Sequence, residues 1–509
     1  MRKGFLIMLA VVLVAALAAP AMAGMDVTGF IRDKGYVSNF KNAATSPNLQ
    51  KDAPAAAYVE QRFRAKFSFG EENVKAVWFI ETDFSAFGDV AGAANTGASV
   101  TDNAGLVQPV ASGASRNGGG ALGADRINLE TKNIYIWFKL PNTSLDFTVG
   151  LQNQSDAYAG LLYGAADMAG IFATGKMEPV SYKLGWAKLY ENNNLKADDL
   201  TLYVAEANLA PTKDAKVGLN FYFLQDDTGK VSIAKPSTQL PFDAVTGTAG
   251  SSIDVMGHLN KKRLYIPGVN ASFNAGPVTL SGFALYQFGK VDFLDNTADV
   301  NVKGYAFDLR ADANVGPGKL FLEGLFVSGG DGTGNDYKSV ITLSDVNASP
   351  AGNSFFGRTD MMILLPNPDD INTSTALIGA AGVPNVIDPA TGKPAKVSPF
   401  ATATSPGNGG RGITHIAAGY TQKLGDKLTA KFGLGYLAAT KKLVTDNTVK
   451  GKGMGTEVNA NLNYNIMKGL DFGVYAAYAW LGDFYKSNVA GAVDPDNVYD
   501  VHFRLNYAF

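Results

Sequence analysis

The last fourteen residues of the chain, Asp496 to Phe509, restrict the possible folds more than any other stretch. From residue 501 onward apolar side chains occupy every second position: Val501, Phe503, Leu505, Tyr507 and Phe509. The intervening positions hold His502, Arg504, Asn506 and Ala508. One face is therefore apolar and the other mostly polar, as in a strand. The closing strand of a transmembrane barrel has this pattern, with lipid on one side and a lumen on the other.

The same alternation recurs along the whole chain in segments of about nine to fourteen residues. It predicts strands at 25–37, 58–69, 74–84, 127–140, 145–152, 167–175, 180–190, 200–209, 215–224, 264–273, 278–291, 302–315, 319–327, 412–424, 427–440, 454–466 and 470–481, before the terminal strand. Beyond residue 20 the sequence has no apolar run long enough for a membrane helix. We therefore predict an all-β fold, an antiparallel up-and-down transmembrane β-barrel.

Connection lengths give an independent test of this prediction. Tight turns are predicted at 70–73, 141–144, 176–179, 210–214, 274–277, 316–318, 425–426 and 467–469. Long connections lie between them, above all at 85–126, 226–260 and 329–411. Short turns alternating with long loops are typical of periplasmic and extracellular ends of a barrel. The alternation holds only if the weak segment Asp167–Gly175 is a strand, which gives eighteen strands, with sixteen as the alternative.

The N-terminus has the features of a secretory signal peptide. Arg2 and Lys3 precede an apolar stretch, and an Ala-x-Ala site at residues 21–23 predicts cleavage between Ala23 and Gly24. Residues 24–509 are then one barrel domain. Without the signal, 42 basic residues face 46 acidic ones, a formal charge of about −4, which gives no nucleic-acid footprint.

Residue types argue against catalysis and cofactor binding. The chain has no cysteine, which excludes disulfides, thiolate chemistry and cysteine-based metal sites. Its three histidines, His258, His415 and His502, are far apart and show no metal-ligand spacing. We predict no enzyme activity, no catalytic residue, no metal and no cofactor.

Charged residues on the polar faces of the strands are candidates for lining the lumen. An Arg or Lys facing hydrocarbon at mid-depth costs about 2–4 kcal/mol, so these faces should meet water or each other. Opposed rows of charge could also orient and filter solutes. The candidates are Arg62, Arg64, Lys66, Glu81, Asp83, Asp308, Arg310, Asp312, Glu323 and Arg504. The sixteenth strand adds a polar face from Glu457 to Asn465.

The chain resembles the bacterial outer-membrane porins. The resemblance rests on the signal, the alternating strands, the rhythm of connections and the terminal pattern Phe503, Leu505, Tyr507 and Phe509. It implies a Gram-negative outer membrane, a homotrimer, passage of small hydrophilic solutes, and recognition of that terminal pattern by the barrel-assembly machinery.

The porin resemblance also implies a role for residues 154–166. In trimeric porins the connection after the fifth strand folds inward. Asp156 would then be a constriction carboxylate facing the basic row, and an ordinary exposed loop is the alternative.

The length of the chain leaves two other functions open. It exceeds that of typical sixteen-stranded porins, so a substrate-selective channel for sugars or anions is one alternative. An outer-membrane enzyme or adhesin acting through its loops is the other.

Overall fold

The computed structural model of the chain describes residues 24–39, 51–52, 55–87, 99–101, 107–109, 129–192, 194–229, 260–293, 299–333, 335–346, 356, 358–365, 386–387, 394–395, 405–443, 449–486, 488 and 494–509. The predicted signal up to Ala23 lies outside these residues. So do most of the three long connections predicted from the sequence.

Within the described residues, eighteen antiparallel strands form one closed wall. They are β1 Met25–Ser38, β2 Ala56–Glu71, β3 Val74–Ala86, β4 Glu130–Lys139, β5 Leu145–Gln154, β6 Ala166–Met177, β7 Val180–Tyr190, β8 Leu200–Thr212, β9 Ala215–Asp226, β10 Asn260–Ala275, β11 Val278–Phe293, β12 Val300–Val315, β13 Gly318–Val327, β14 Ile413–Lys423, β15 Leu428–Ala439, β16 Gly453–Met467, β17 Leu470–Leu481 and β18 Val498–Ala508. Each strand pairs with the next along the chain, and β18 pairs with β1.

This topology confirms the predicted barrel with eighteen strands rather than sixteen. The weak segment Asp167–Gly175 is the centre of β6 and pairs with both β5 and β7. Several strands are longer than predicted. For example, β10 begins at Asn260 instead of Leu264. The added residues are polar and include Lys261 and Lys262, so apolar alternation stops before backbone pairing does.

The outer face of the wall is an apolar band with aromatic rings near both ends. Tyr203, Phe223, Tyr265 and Phe288 stack from β8 to β11, with ring centroids 5.6, 4.8 and 5.3 Å apart. Near the short turns, Phe138 stacks on Phe147 at 5.3 Å. Exposed aliphatic side chains occupy the space between, among them Leu219, Leu309, Leu322, Ile134 and Ile416. Such a surface suits hydrocarbon bounded by two interfaces.

Phe509 joins the two ends of the wall. Its backbone exchanges hydrogen bonds with Gly29, at 2.9 Å from the Gly29 N–H and 3.0 Å to the Gly29 carbonyl. Its ring lies over Gly29 so closely that an added Cβ there would be 2.8 Å from Phe509 Cζ. The outward faces of Phe503, Leu505 and Tyr507 are exposed as predicted.

An apolar core fills part of the interior, where the sequence predicted a polar, water-filled lumen. Inward side chains of β6 to β13 are buried, including Phe172, Leu202, Tyr222, Leu264, Val302 and Leu325. They pack against described segments of the connections at 155–165, 336–346, 356 and 358–365. Residues 405–411 hydrogen-bond in turn to Gly330, Ser339 and Asp345. In the described part of the chain, no helix is long and apolar enough to span a membrane.

Candidate channel interior

Segment 155–165, which follows β5, lies inside the barrel against β9 to β11. Tyr158 packs on the inward rings of Tyr222 and Phe283, with centroids 5.5 and 5.4 Å away. Gly268 on β10 makes room for it, because an added Cβ would lie 2.3 Å from the Tyr158 hydroxyl. The inward fold of this segment therefore matches the expectation from the porin resemblance.

Asp156 has a different position from the one expected. Its Oδ1 accepts the N–H groups of Tyr158 and Gly160 at 2.7 and 2.9 Å, and its Oδ2 accepts those of Leu162 and Tyr163 at 2.6 and 2.8 Å. Among the described ion pairs, none joins Asp156 to a basic side chain. Burial raises the pKa of Asp156 to about 6, while the four amides act in the opposite direction. Its carboxylate organises the segment and does not face the basic row.

A polar relay fixes the start of the same segment to the wall. The Ala157 N–H donates to the Tyr222 hydroxyl at 2.8 Å, and that hydroxyl donates to Glu206 at 2.9 Å. Lys183 Nζ lies 2.8 Å from the same Glu206 carboxylate. The segment is therefore held by directed bonds as well as by ring packing.

A second segment, residues 358–365, which we call the inner strap, lies against β12 to β16. Glu457 on β16 accepts three consecutive strap amides, from Met362, Ile363 and Leu364, at 2.6, 2.9 and 2.8 Å. The strap side chains from 361 to 365 are buried. Sequence reasoning placed Glu457 on an inward polar face but missed its partner, since a carboxylate that binds backbone amides requires no particular residue type opposite it.

Charged pairs hold the other end of the inner strap. Arg358 Nη1 lies 2.8 Å from Asp308 on β12, and Arg358 Nη2 donates to Ser281 on β11 at 2.6 Å. Asp360 pairs with Lys431 on β15. Arg310 donates to the Arg358 carbonyl at 2.5 Å and packs over the Phe321 ring. Asp308 is thus inward as predicted, but the strap covers it.

Basic side chains lie along the inner face of β2 to β4. Arg62 and Arg64 converge on Glu81 of β3, at 3.5 and 2.7 Å. Lys132 in β4 reaches the same carboxylate at 3.4 Å and Asp167 at 2.6 Å. These side chains are 9–21% exposed, so the cluster retains access to water. Lys66 is half-buried on the same face of β2.

A second polar stretch continues this inner face across the seam. Arg504 on β18 lies 3.7 Å from Asp471 and 3.4 Å from the Asn463 side-chain oxygen. Arg32 on β1 donates to Asn506 at 3.0 Å. The inner face from β16 through β18 and β1 to β4, which we call the polar arc, therefore carries partly exposed charged side chains, although Tyr475, Ala477 and Ala479 of β17 also belong to the apolar core.

The remaining candidates differ in their surroundings. Asp312 is partly exposed and pairs with Arg310 at 2.9 Å. Glu323 is fully buried beside His415 and does not face open water. Asp83 lies outside the residues whose side chains the structure describes.

Comparison with known proteins gives matches among solved structures alone. No family model and no curated protein matches the chain. A BenF-like porin from Pseudomonas fluorescens Pf-5 is 10% identical with a TM-score of 0.48, covering 95% of this chain and 98% of that one. OccAB1 of Acinetobacter baumannii is 11% identical with a TM-score of 0.49, covering 95% and 96%. Pseudomonas aeruginosa OpdK with vanillate is 11% identical with a TM-score of 0.46, covering 95% and 98%.

Proposed function

We propose that the chain is an outer-membrane porin, a channel through which small hydrophilic solutes and ions cross passively. The observation that carries the proposal is the closed wall, apolar outside, whose inner polar arc keeps charged side chains partly exposed to water. Segment 155–165 lies against β9 to β11 and the inner strap lies against β12 to β16, so both reduce the open interior beside these strands. Solutes then pass along the polar arc rather than through the centre of the barrel.

The charge of the polar arc favours anions over cations. Among the partly exposed groups on this path, six basic side chains face three carboxylates, those of Glu81, Asp167 and Asp471; the basic residues are Arg32, Arg62, Arg64, Lys66, Lys132 and Arg504. Fixed positive charge in a narrow polar path raises the local concentration of anions. An anion-selective channel is therefore the form of the porin function that the geometry supports.

Reversal potentials in a salt gradient across a planar bilayer test the proposal. We expect conductance steps with a preference for chloride over potassium, and a lower preference in the double variant Arg62→Gln/Arg64→Gln. The matched control is Lys261→Gln/Lys303→Gln, which removes two charges from the outward rim and should leave the preference unchanged. Purified, folded protein without conductance would refute the channel, and an unchanged preference in the arginine variant would refute the anion path.

The assembly partners belong to the same proposal. We propose a homotrimer in outer-membrane lipid, inserted by the barrel-assembly machinery through the terminal pattern of β18. The exposure of Phe503, Leu505 and Tyr507 on the outer face supports this recognition, because the side chains are free for a partner before lipid covers them. Chemical cross-linking in intact membranes should give a three-subunit product.

A further inference from the structure

An acidic side chain lies on the outer, membrane-facing side of β1. Odd-numbered residues of this strand point outward, since Ile31 and Val37 are exposed whereas Tyr36 is buried inside the barrel. Asp33 belongs to the outward set and is partly exposed. Its cross-strand neighbour on β18 is Leu505, which is also outward and exposed. The carboxylate of Asp33 is therefore surrounded by apolar side chains along its own strand and across the closing pair.

An amide on the next strand is the partner of this carboxylate. Gln61 of β2 lies directly opposite Asp33 and donates through Nε2 to Asp33 Oδ1 at 2.8 Å. We call these two residues the outer pair. A side-chain amide has two N–H groups and one acceptor oxygen, and a carboxylate has two acceptor oxygens. The bond within the outer pair uses one N–H and one oxygen, so a second N–H, Gln61 Oε1 and Asp33 Oδ2 remain for a further partner.

Lipid tails cannot be that partner, because hydrocarbon neither donates nor accepts hydrogen bonds. Elsewhere on the outer face, charged side chains lie beyond the aromatic rings, where a barrel leaves the hydrocarbon. Lys261 precedes Tyr265 at the start of β10, and Lys303 precedes Tyr305 in β12. Asp33 instead lies between apolar outward residues of its strand. Its position suits contact with protein better than contact with lipid.

The surface around the outer pair is flat enough for a second wall to approach. Two outward residues of β1 are glycines, Gly29 and Gly35. The ring of Phe509 lies over Gly29 and that of Phe503 over Gly35, where an added Cβ would be 2.8 and 2.2 Å from ring atoms. Both rings thus lie close against the backbone of β1 instead of projecting from it. Small residues at a membrane-embedded contact allow close approach of two backbones.

We propose that the outer pair is a contact between copies of this chain, with β1 and β2 of one copy against the same strands of the next. A second copy supplies the missing bonds, because its Gln61 has an N–H for Asp33 Oδ2 of the first. Copies related by rotation each give one such bond and receive one, so the ring closes. The inference rests on the proposed homotrimer and adds the face through which its copies meet.

Cysteine cross-linking in intact membranes tests this contact, since the natural chain has no cysteine. Ile31→Cys places a thiol beside the outer pair, and the matched control Val269→Cys places one on the outward face of β10, across the barrel. The native side chains are 39% and 44% exposed. A short bifunctional maleimide should join copies of Ile31→Cys at least about tenfold faster than copies of Val269→Cys, because bound neighbours have a high effective concentration.

Equal cross-linking rates of the two cysteine variants overturn the proposal. Amine cross-linking of the natural chain separates the reasons. A multi-subunit product there, with equal thiol rates, shows that the copies meet through another face, whereas a single-subunit product overturns the homotrimer as well. Neither measurement needs ion flow, so conductance tests the channel separately.

A double variant assigns the contact to the outer pair itself. Asp33→Leu/Gln61→Leu in the Ile31→Cys background keeps the outer face apolar and removes the bonds between copies, so the cross-linking rate should fall at least about tenfold. The control Gln225→Leu removes an amide from the end of β9 and should leave the rate unchanged. Gel mobility with and without heating checks that each barrel is folded. An unchanged rate in the folded double variant overturns the role of the outer pair.

Discussion

Glu457→Gln isolates the contribution of one carboxylate to the shape of the interior. In the native chain, Glu457 Oε1 accepts hydrogen bonds from the Met362 N–H and the Asn459 side-chain amide. Glu457 Oε2 accepts hydrogen bonds from the N–H groups of Ile363 and Leu364. Gln has the same shape but only one acceptor oxygen. Two buried donors would then face an NH₂ group that cannot accept them.

The expected cost follows from those two donors. An unsatisfied buried donor costs about 1–3 kcal/mol, so the strap should lose about 3 kcal/mol of docking free energy after some relaxation. Since 1.4 kcal/mol is a factor of ten in an equilibrium constant, opening of the strap becomes about a hundredfold more frequent. Residual docking would come from the buried side chains and the charged pairs at the other end.

Hydrogen–deuterium exchange of the strap peptide in micelles measures this change. We expect strap amides to exchange about a hundredfold faster in Glu457→Gln, with larger and noisier single-channel conductance. The control Asn465→Gln alters an exposed side chain on the same strand and should exchange like the parent. Exchange within threefold of the parent in Glu457→Gln would refute the view that this carboxylate holds the strap.

Three other predictions concern the second inward segment and the seam. Gly268→Ala should displace Tyr158 and destabilise segment 155–165 by about 1–3 kcal/mol, seen as faster amide exchange there. Burial raises the pKa of Asp156 above its unfolded value, so docking of segment 155–165 should be strongest below about pH 4 and should weaken as the pH rises through about 6. Amide exchange of the segment, corrected for its intrinsic pH dependence, measures this change. Phe509→Ala should lower the free energy of unfolding of the barrel by about 1 kcal/mol, because about half of the Phe509 ring is covered. The folded fraction in vesicles, measured by gel mobility with and without heating, should fall accordingly.

The wall was predictable from the sequence because lipid imposes a simple rule. Every strand must present apolar side chains outward, so period two appears even in β6, where turn parity rather than composition identified the strand. The ends of the strands were less predictable. Backbone pairing of β10 begins before its apolar alternation does, because Lys261 and Lys262 are paired but give no apolar signal.

The interior was harder to predict, for two physical reasons. Strands such as β9 and β11 carry apolar residues on both faces. The sequence therefore does not show which segment packs against the inward rings of Tyr222 and Phe283. Asp156 and Glu457 bind backbone amides, which every residue except proline possesses. The converging charges on β2 and β3 were visible in Arg62, Arg64 and Glu81, because adjacent strands bring alternate positions to one face.

The pair of backbone hydrogen bonds between Gly29 and Phe509 has a consequence for the order of folding. These residues are nearly a whole chain apart, whereas all other wall pairings join consecutive strands. Local hairpins can form early, but the last pairing must wait until the intervening strands have curved into a ring. A variant that weakens this pairing should therefore slow the final step of folding and leave an open sheet with two unpaired edges, the state most exposed to aggregation.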